Sequence, residues 1–457
     1  MTAYALRAIG MVLAFLYTLV ALSSCPATVS NKEAPVLATK EEVPLGHSAP
    51  VVVNILQPRG DIALQLQAAA ELFLHSTGSG AQIRIQTVEG KEAYRTALRA
   101  KLVNGEQVDL FHLFGYQDLR ELRDYAAPLT GLSWISKTEP DLLDPVTVDG
   151  KIYGVPLSVE GIGLIANEEI FDAAGIALSE IVSFEDLVAA FQDLRGKIDS
   201  GELLKEFPDL KAVGEFPAGD ASFMEQMANI AFTDVFGSAR KAADAPVMGL
   251  SHNDAFEEYV RSLARYTSSR KDWTSLNSVA QNLQVECGLA AGRVAVIQQN
   301  VAIAGRVHRL DEEISAKMVL LPIPLDGVEQ STVYVGVPSY WAVSARSDPE
   351  AAEVAKAFLT WLYRTEEGTG VLAEEFGAIS PYRDTAQSTG YSLHSQLMSY
   401  IDSGRTRPLL HNEFPRDWCG DVFAPNLRAY LADELEWQPM LDDNYQSWAR
   451  MRQKRSG

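Results

Sequence analysis

Apolar residues in the first part of the chain fall into short runs and helical stripes that alternate. Val51-Val52-Val53-Asn54-Ile55-Leu56 is a nearly continuous apolar run, the pattern of a strand buried in a parallel sheet. It stops at Gln57-Pro58-Arg59-Gly60-Asp61, where Asp61 is placed to cap a helix. Ile62, Leu66, Ala69 and Phe73 then recur at helical spacing until Gly78. Ile83 and Ile85 alternate with polar residues as a second strand, and Tyr94, Leu98 and Leu102 share one face of a second helix that stops at Asn104-Gly105. Residues 108–114 form a third strand. This β-α-β-α-β order predicts a parallel, doubly wound sheet with right-handed crossovers. Ligands of such sheets sit beyond the carboxyl ends of the strands. The loops 57–61 and 114–118 therefore lie on the binding side, which makes Arg59, Asp61, Tyr116 and Asp118 candidates against the alternative of caps and surface charges.

A second apolar passage, residues 153–165, leads into further helices. Ser183-Phe184-Glu185-Asp186 has capping-box spacing, and Asp348-Pro349-Glu350 opens a helix that turns Ala352, Ala355, Phe358, Leu359 and Leu362 inward. The chain carries no internal repeat. At its start, Arg7 precedes an apolar run, residues 9–22, too short for a stable membrane span and of signal-peptide length. The run ends in Leu22-Ser23-Ser24-Cys25, which resembles a bacterial lipobox and implies a cleaved signal over residues 1–24 and an acylated Cys25. An ordinary cleaved signal with a chance Cys is the alternative. Residues 25–48 then read as the lipidated Cys and a flexible tether, Pro- and Glu-bearing without apolar period.

With 457 residues the chain is too long for one ordinary core, so two domains are expected. A hydrophobic fraction of 47% and a charged fraction of 22% are those of a globular protein. Lys plus Arg number 39 against 60 Asp plus Glu, a net charge of −21, which argues against a nucleic-acid partner. Cys287 and Cys419 remain after Cys25, either as a disulfide in an oxidising compartment or as two buried thiols.

From Asp149 onward the residues resemble a known family. Asp149-Gly150-Lys151-Ile152-Tyr153-Gly154-Val155-Pro156-Leu157, with Glu160, Asn167, Phe171 and Gly175-Ile176, is similar to the first lobe crossing of extracellular solute-binding proteins of maltose-binding type. Gly292-Arg293-Val294-Ala295-Val296-Ile297-Gln298-Gln299 resembles the strand before their sugar site. Leu321-Pro322-Ile323-Pro324, Val335-Gly336-Val337-Pro338 and Trp341-Ala342-Val343-Ser344 resemble the second crossing, and residues 351–381 the helix pair that closes the first lobe. The resemblance implies a periplasmic-binding-protein fold: two doubly wound α/β lobes joined by hinge crossovers, with an N-lobe of residues 49–157 plus 337–377 and a C-lobe of 158–336 plus 378–457. It implies a monomer that captures a carbohydrate, delivers it to the permease subunits of an ABC importer, and touches the membrane through its lipid anchor alone, without cofactor or metal.

A sugar presents apolar ring faces and a rim of hydroxyls, so its site needs flat aromatics and carboxylates, amides or guanidinium groups. Glu160, an acid inside the apolar passage 159–163, matches the sugar-binding acid of the first crossing in maltose-type relatives; its alternative is a salt bridge bracing the hinge. Gln298, Gln299 and Asn300 form an amide cluster at a strand end, followed by Val301-Ala302 where relatives carry a stacking Trp. Tyr340, Trp341 and Trp418 are candidate stacking rings, and Asp220 with Phe223 are weaker candidates before a helix; each ring has a core role as its alternative. No phosphate loop, Gly-x-Ser-x-Gly elbow, His-Glu-x-x-His or Cys-x-x-Cys is present, and the seven His lack metal-ligand spacing. The reading is of a binding protein and not an enzyme. A non-sugar solute such as a polyamine or small anion, a ligand-sensing module, and a glycosidase built on a pair of acids remain as alternatives.

Overall fold

The computed structural model describes residues 50–250, 253–267, 284–325, 332–385 and 389–455. The signal segment, Cys25 and the tether lie outside the described residues. From Pro50 the chain alternates strand and helix as its apolar pattern predicts: β1 (Val52–Gln57), α1 (Ala63–Thr77), β2 (Gln82–Thr87), α2 (Lys91–Val103), β3 (Leu110–Leu113) and the short α3 (Tyr116–Leu122). β4 (Val155–Pro156) and β5 (Glu160–Asn167) follow, then α4 (Phe184–Asp199) and α5 (Ala221–Phe232). Next come β6 (Val296–Asn300), β7 (Met318–Leu321), β8 (Val333–Gly336), β9 (Tyr340–Val343), α6 (Pro349–Arg364), α7 (Ser392–Asp402), β10 (Thr406–Pro408) and α8 (Trp437–Arg455).

Two five-stranded sheets centre two lobes. The first runs β2-β1-β3-β9-β4. β1 pairs in parallel with β2, Val52 opposite Gln82 through Gln57 opposite Thr87, and with β3 at Ile55 opposite Leu110. β9 then lies antiparallel between β3 and β4. The helices cover both faces, as a buried parallel sheet requires. Val53, Ile55, Phe73 and Phe358 pack on one side; Leu56, Tyr94, Leu98 and Phe111 pack on the other. The inward stripes read from the sequence in α1, α2 and α6 are the ones buried, although Ala352 is only partly so.

The second sheet runs β10-β8-β5-β6, with β7 also on β5. Here the parallel expectation gives way: β6, β7 and β8 are all antiparallel to β5, and only β10 with β8 is parallel. The cause is the crossing. β5 leaves the seam between the sheets at Glu160, whereas β6 and β8 run back toward it and end there, so outgoing and returning strands oppose. Every residue of β5 is buried. Gly163 lies beneath β7, where a Cβ would stand 2.5 Å from the Leu321 carbonyl oxygen. Gly161 and Gly163 are thus packing residues. The capping box at Ser183 forms as its spacing predicts, with Ser183 accepting from the Asp186 N–H and the Asp186 side chain returning to the Ser183 N–H.

Three segments run along the boundary between the sheets: residues 157–159 from β4 to β5, 337–339 from β8 to β9, and 377–379 after α6, beyond which Tyr382 packs back into the first lobe's core before α7. They are bonded to one another, Leu157 N–H to the Ser339 carbonyl and Val159 N–H to the Ile379 carbonyl, both at 2.9 Å.

Candidate functional site

The seam beside these segments gathers four of the expected polar residues. β1 ends at Gln57, whose side chain fixes the next turn: its carbonyl accepts from the Arg59 N–H at 2.6 Å and its amide donates to the Arg59 carbonyl at 2.9 Å. Arg59 so held donates through Nε and Nη2 to both oxygens of Asp61, at 2.8 and 2.7 Å. Asp61 is therefore a guanidinium partner and caps no helix; α1 starts without a side-chain cap. On its other side Arg59 Nη1 stands 3.6 Å from Glu160 Oε1, at the first residue of β5. The Asn300 amide, at the end of β6, donates to Glu160 Oε2.

The electrostatics follow from burial. Burial raises the Glu160 carboxyl above the usual carboxylate range, while Arg59 and the Asn300 amide pull it back. Burial alone would lower Arg59, but Asp61 and Glu160 hold it above its ordinary value. Burial likewise works against the charge on Asp61, and Arg59 overcomes it and leaves that carboxyl below its usual range. The chain Asp61–Arg59–Glu160–Asn300 thus joins residues of both sheets through one guanidinium. Beside it opens a narrow crevice with an open volume of about 380 Å³, lined by Arg59, Ile62, Ser158, Glu160, Phe376 and His394. His394, placed by α7, donates through Nε2 to the Val301 carbonyl (3.2 Å), which leaves Nδ1 of the neutral ring to accept from the Thr389 hydroxyl (2.8 Å), and burial lowers its pKa to about 4. No pattern near His394 in the sequence signals this place, because α7 arrives from 230 residues beyond Glu160.

The other expected residues lie elsewhere. Gln298 and Gln299 sit behind Asn300 in a buried amide network: the Tyr259 hydroxyl donates to Gln298 at 2.8 Å, and Gln226 bridges Gln298 and Gln299 at 3.4 and 3.3 Å. Trp341 is fully buried under the first sheet, its ring 3.9 Å from that of His112. Tyr340 is buried too, its hydroxyl donating to the Leu142 carbonyl at 2.9 Å, and it lines a wider groove of about 1630 Å³ that residues of both lobes share, Phe114 on one side and Val335, Met398 and Glu413 on the other. Trp418 and Phe223 belong to the core of the second lobe; the Trp418 indole donates to the Asn444 carbonyl and packs among Phe232, Phe414, Phe423 and Trp448. Both rings are core and not stacking platforms, Trp418 enclosed by that aromatic cluster and Phe223 packed edge-on against Phe216. Asp220 caps α5, accepting from the Ser222 and Phe223 N–H groups. No disulfide joins Cys287 and Cys419.

Tyr116 and Asp118 are drawn to a second seam. Asp118 is 2% exposed and paired with Arg95 and Arg416, which hold its carboxyl below the usual range against the opposing effect of burial. The Tyr116 ring lies 5.0 Å from the Arg240 guanidinium. Their partners Glu413 and Arg416 stand in the polar stretch 412–417, which the sequence marks only as a loop before Trp418. Groups of His, Cys, Asp and Glu able to hold a metal are absent among the described residues, as are helices long and apolar enough to cross a membrane.

Two α/β lobes, three bonded boundary segments and a polar chain spanning the seam define a hinged, periplasmic-type binding protein. The chain belongs to the bacterial extracellular solute-binding protein family, whose sequence profile matches residues 68–394. It is 21% identical over 273 residues to the melibiose/raffinose/stachyose-binding protein MelE of Bacillus subtilis (strain 168), covering 59% of this chain and 61% of that one. The match thus spans about three fifths of that relative's length. Among solved structures, the binding protein MsmE of Bacillus subtilis in an open conformation is similar at 16% identity and TM-score 0.68, over 90% of this chain and all of that one. RafE in complex with raffinose is similar at 15% identity and TM-score 0.68, over 88% of this chain and all of its own. Maltose-bound MalE3 of T. maritima follows at 14% and 0.66, over 88% and 100%. The maltose-type resemblance carried by residues 149–381 holds, and the relatives are binding proteins by name.

Proposed function

We propose that the protein is the solute-binding component of an ABC importer, which captures a carbohydrate between its lobes by hinge closure and passes it to a membrane permease. The lobes would comprise residues 49–157 plus 337–377 and residues 158–336 plus 378–457, with Cys25 as lipid anchor outside the cell membrane. The observation that carries the reading is the chain Asp61–Arg59–Glu160–Asn300. Its carboxylates, guanidinium and amide are the donors and acceptors that a hydroxyl rim requires, and it spans both sheets. A solute bonded to both sides favours the closed form by its difference in affinity between the two states. The sugar-binding names of MelE and RafE support the class of solute.

The test is a thermal melt of the chain against melibiose, raffinose, stachyose, maltose, spermidine and phosphate. Occupancy at a hundredfold excess over Kd stabilises the native state by about 2.7 kcal/mol. A shift with a sugar and none with spermidine or phosphate is expected; the reverse pattern overturns the carbohydrate reading. Glu160→Ala removes the sugar shift while the ligand-free melt stays cooperative. The reading is of binding without turnover, so chromogenic glycosides remain intact; their hydrolysis would identify a glycosidase.

A further inference from the structure

The second seam joins the lobes through bonds between protein groups. The loop after β10 belongs to the second lobe, since Leu410, Phe414 and Trp418 are in its core. α3 belongs to the first, through Leu119 and Leu122. Between them the Glu413 carboxylate accepts from the Tyr116 N–H at 2.8 Å and the Gln117 N–H at 3.2 Å. The Gln117 side chain donates to the Phe414 carbonyl and accepts from Arg452 of α8 at 3.2 Å, and Arg452 also donates to the Glu413 carbonyl. Arg416 reaches Asp118 at 2.7 Å and Glu121 at 2.8 Å. Lys91 at the start of α2 donates to the Asn412 side chain at 3.1 Å and pairs with Glu225 of α5. Glu413, Gln117 and Asp118 are each 2% exposed.

The local chain is shaped for this contact. Gly115 has φ +151°, and a Cβ there would stand 2.1 Å from Glu413 Oε1, so the carboxylate approaches only over a glycine. The first N–H groups of a helix have no partner within it, and a carboxylate is their natural complement. α3 starts at the carboxyl end of β3, the side on which a doubly wound sheet receives its ligand. The backbone donors there are already filled, by a carboxylate that the opposite lobe supplies.

We propose that Glu413 and Arg416 form an internal latch that holds the two lobes together in the absence of solute. Burial pushes the Glu413 carboxyl up to about 8 against the two backbone N–H donors, so it holds by plain hydrogen bonds, whereas Arg416 with Asp118 and Glu121 supplies the charge-assisted part; removing one partner leaves the other buried and unpaired. A solute then enters from a minor open population, and its apparent affinity is reduced by that fraction. The latch concerns the resting protein and stands independently of which solute the first seam takes.

Small-angle X-ray scattering of the purified full chain without solute tests it, on the wild type, E413Q and the double variant E413A/R416A. The wild type scatters as the compact form, the double variant shows a larger radius of gyration, and E413Q lies between, since an amide satisfies one N–H and presents a donor to the other. Far-UV circular dichroism and a cooperative melt establish that each variant is folded. A folded double variant whose profile overlays the wild type overturns the latch, as does a wild type already extended without solute. If the double variant does not fold, E413Q decides, and an unchanged profile is again fatal. No sugar enters the experiment, so a failed solute panel leaves its outcome intact.

Discussion

Glu160 and Trp418 show that a side chain's role follows from what surrounds it in space and not from its neighbours in sequence. Glu160 is enclosed, yet it meets a guanidinium and an amide, so its acceptors are directed at a seam. Trp418 has a polar stretch beside it in sequence but is fully enclosed by four rings. Trp418→Ala therefore lowers stability by about 3–5 kcal/mol, the cost of an aromatic cavity, and leaves the affinity of the folded fraction for solute unchanged. Denaturant titration and calorimetry of the same variant check both halves of that statement. Histidine makes a parallel case. Burial lowers His112 to about 3 and His394 and His411 to about 4, from an ordinary 6.5. A lowered pKa means that the unfolded chain binds protons the native state refuses, so stability is whole above pH 6.5 and falls as the pH drops toward 4. Melting points recorded from pH 7 to pH 4 should fall accordingly, and His394→Gln should shallow the decline.

Elements carry the next set of consequences. β9 lies between β3 and β4 in the first sheet, although some 180 residues separate it in sequence from β4. Residues 49–157 expressed alone lack β9 and the α6 helix that covers the same sheet. They should show no cooperative melt by circular dichroism, and fusing residues 337–377 to their end should restore one. The strands and helices themselves were legible, because period and capping are local: Tyr94, Leu98 and Leu102 point inward, and Ser183 caps, as their spacing says. Strand direction in the second sheet was not, since it depends on which end of β5 meets the seam. Of the candidate site, Arg59, Asp61, Glu160 and Asn300 were within reach because topology and resemblance both mark strand ends. Glu413, Arg416 and His394 were not, because each enters from an element whose own pattern gives no reason for it to face the other lobe.

At the scale of the whole molecule, the arrangement is two sheets, each sandwiched by helices, that share a boundary with two polar seams. The first seam offers unlike charges and an amide beside a narrow crevice; the second is bonded through protein groups and borders the wider groove. In the two proposals above, one seam receives the solute and the other holds the lobes. The three segments that run along the boundary are hydrogen-bonded side by side. A single covalent strand would let the halves swivel freely; a laced ribbon of three resists torsion and bends about one axis. In the proposed closure, relative motion would thereby be reduced to nearly one degree of freedom, and Arg59 would meet the same carboxylate on every stroke.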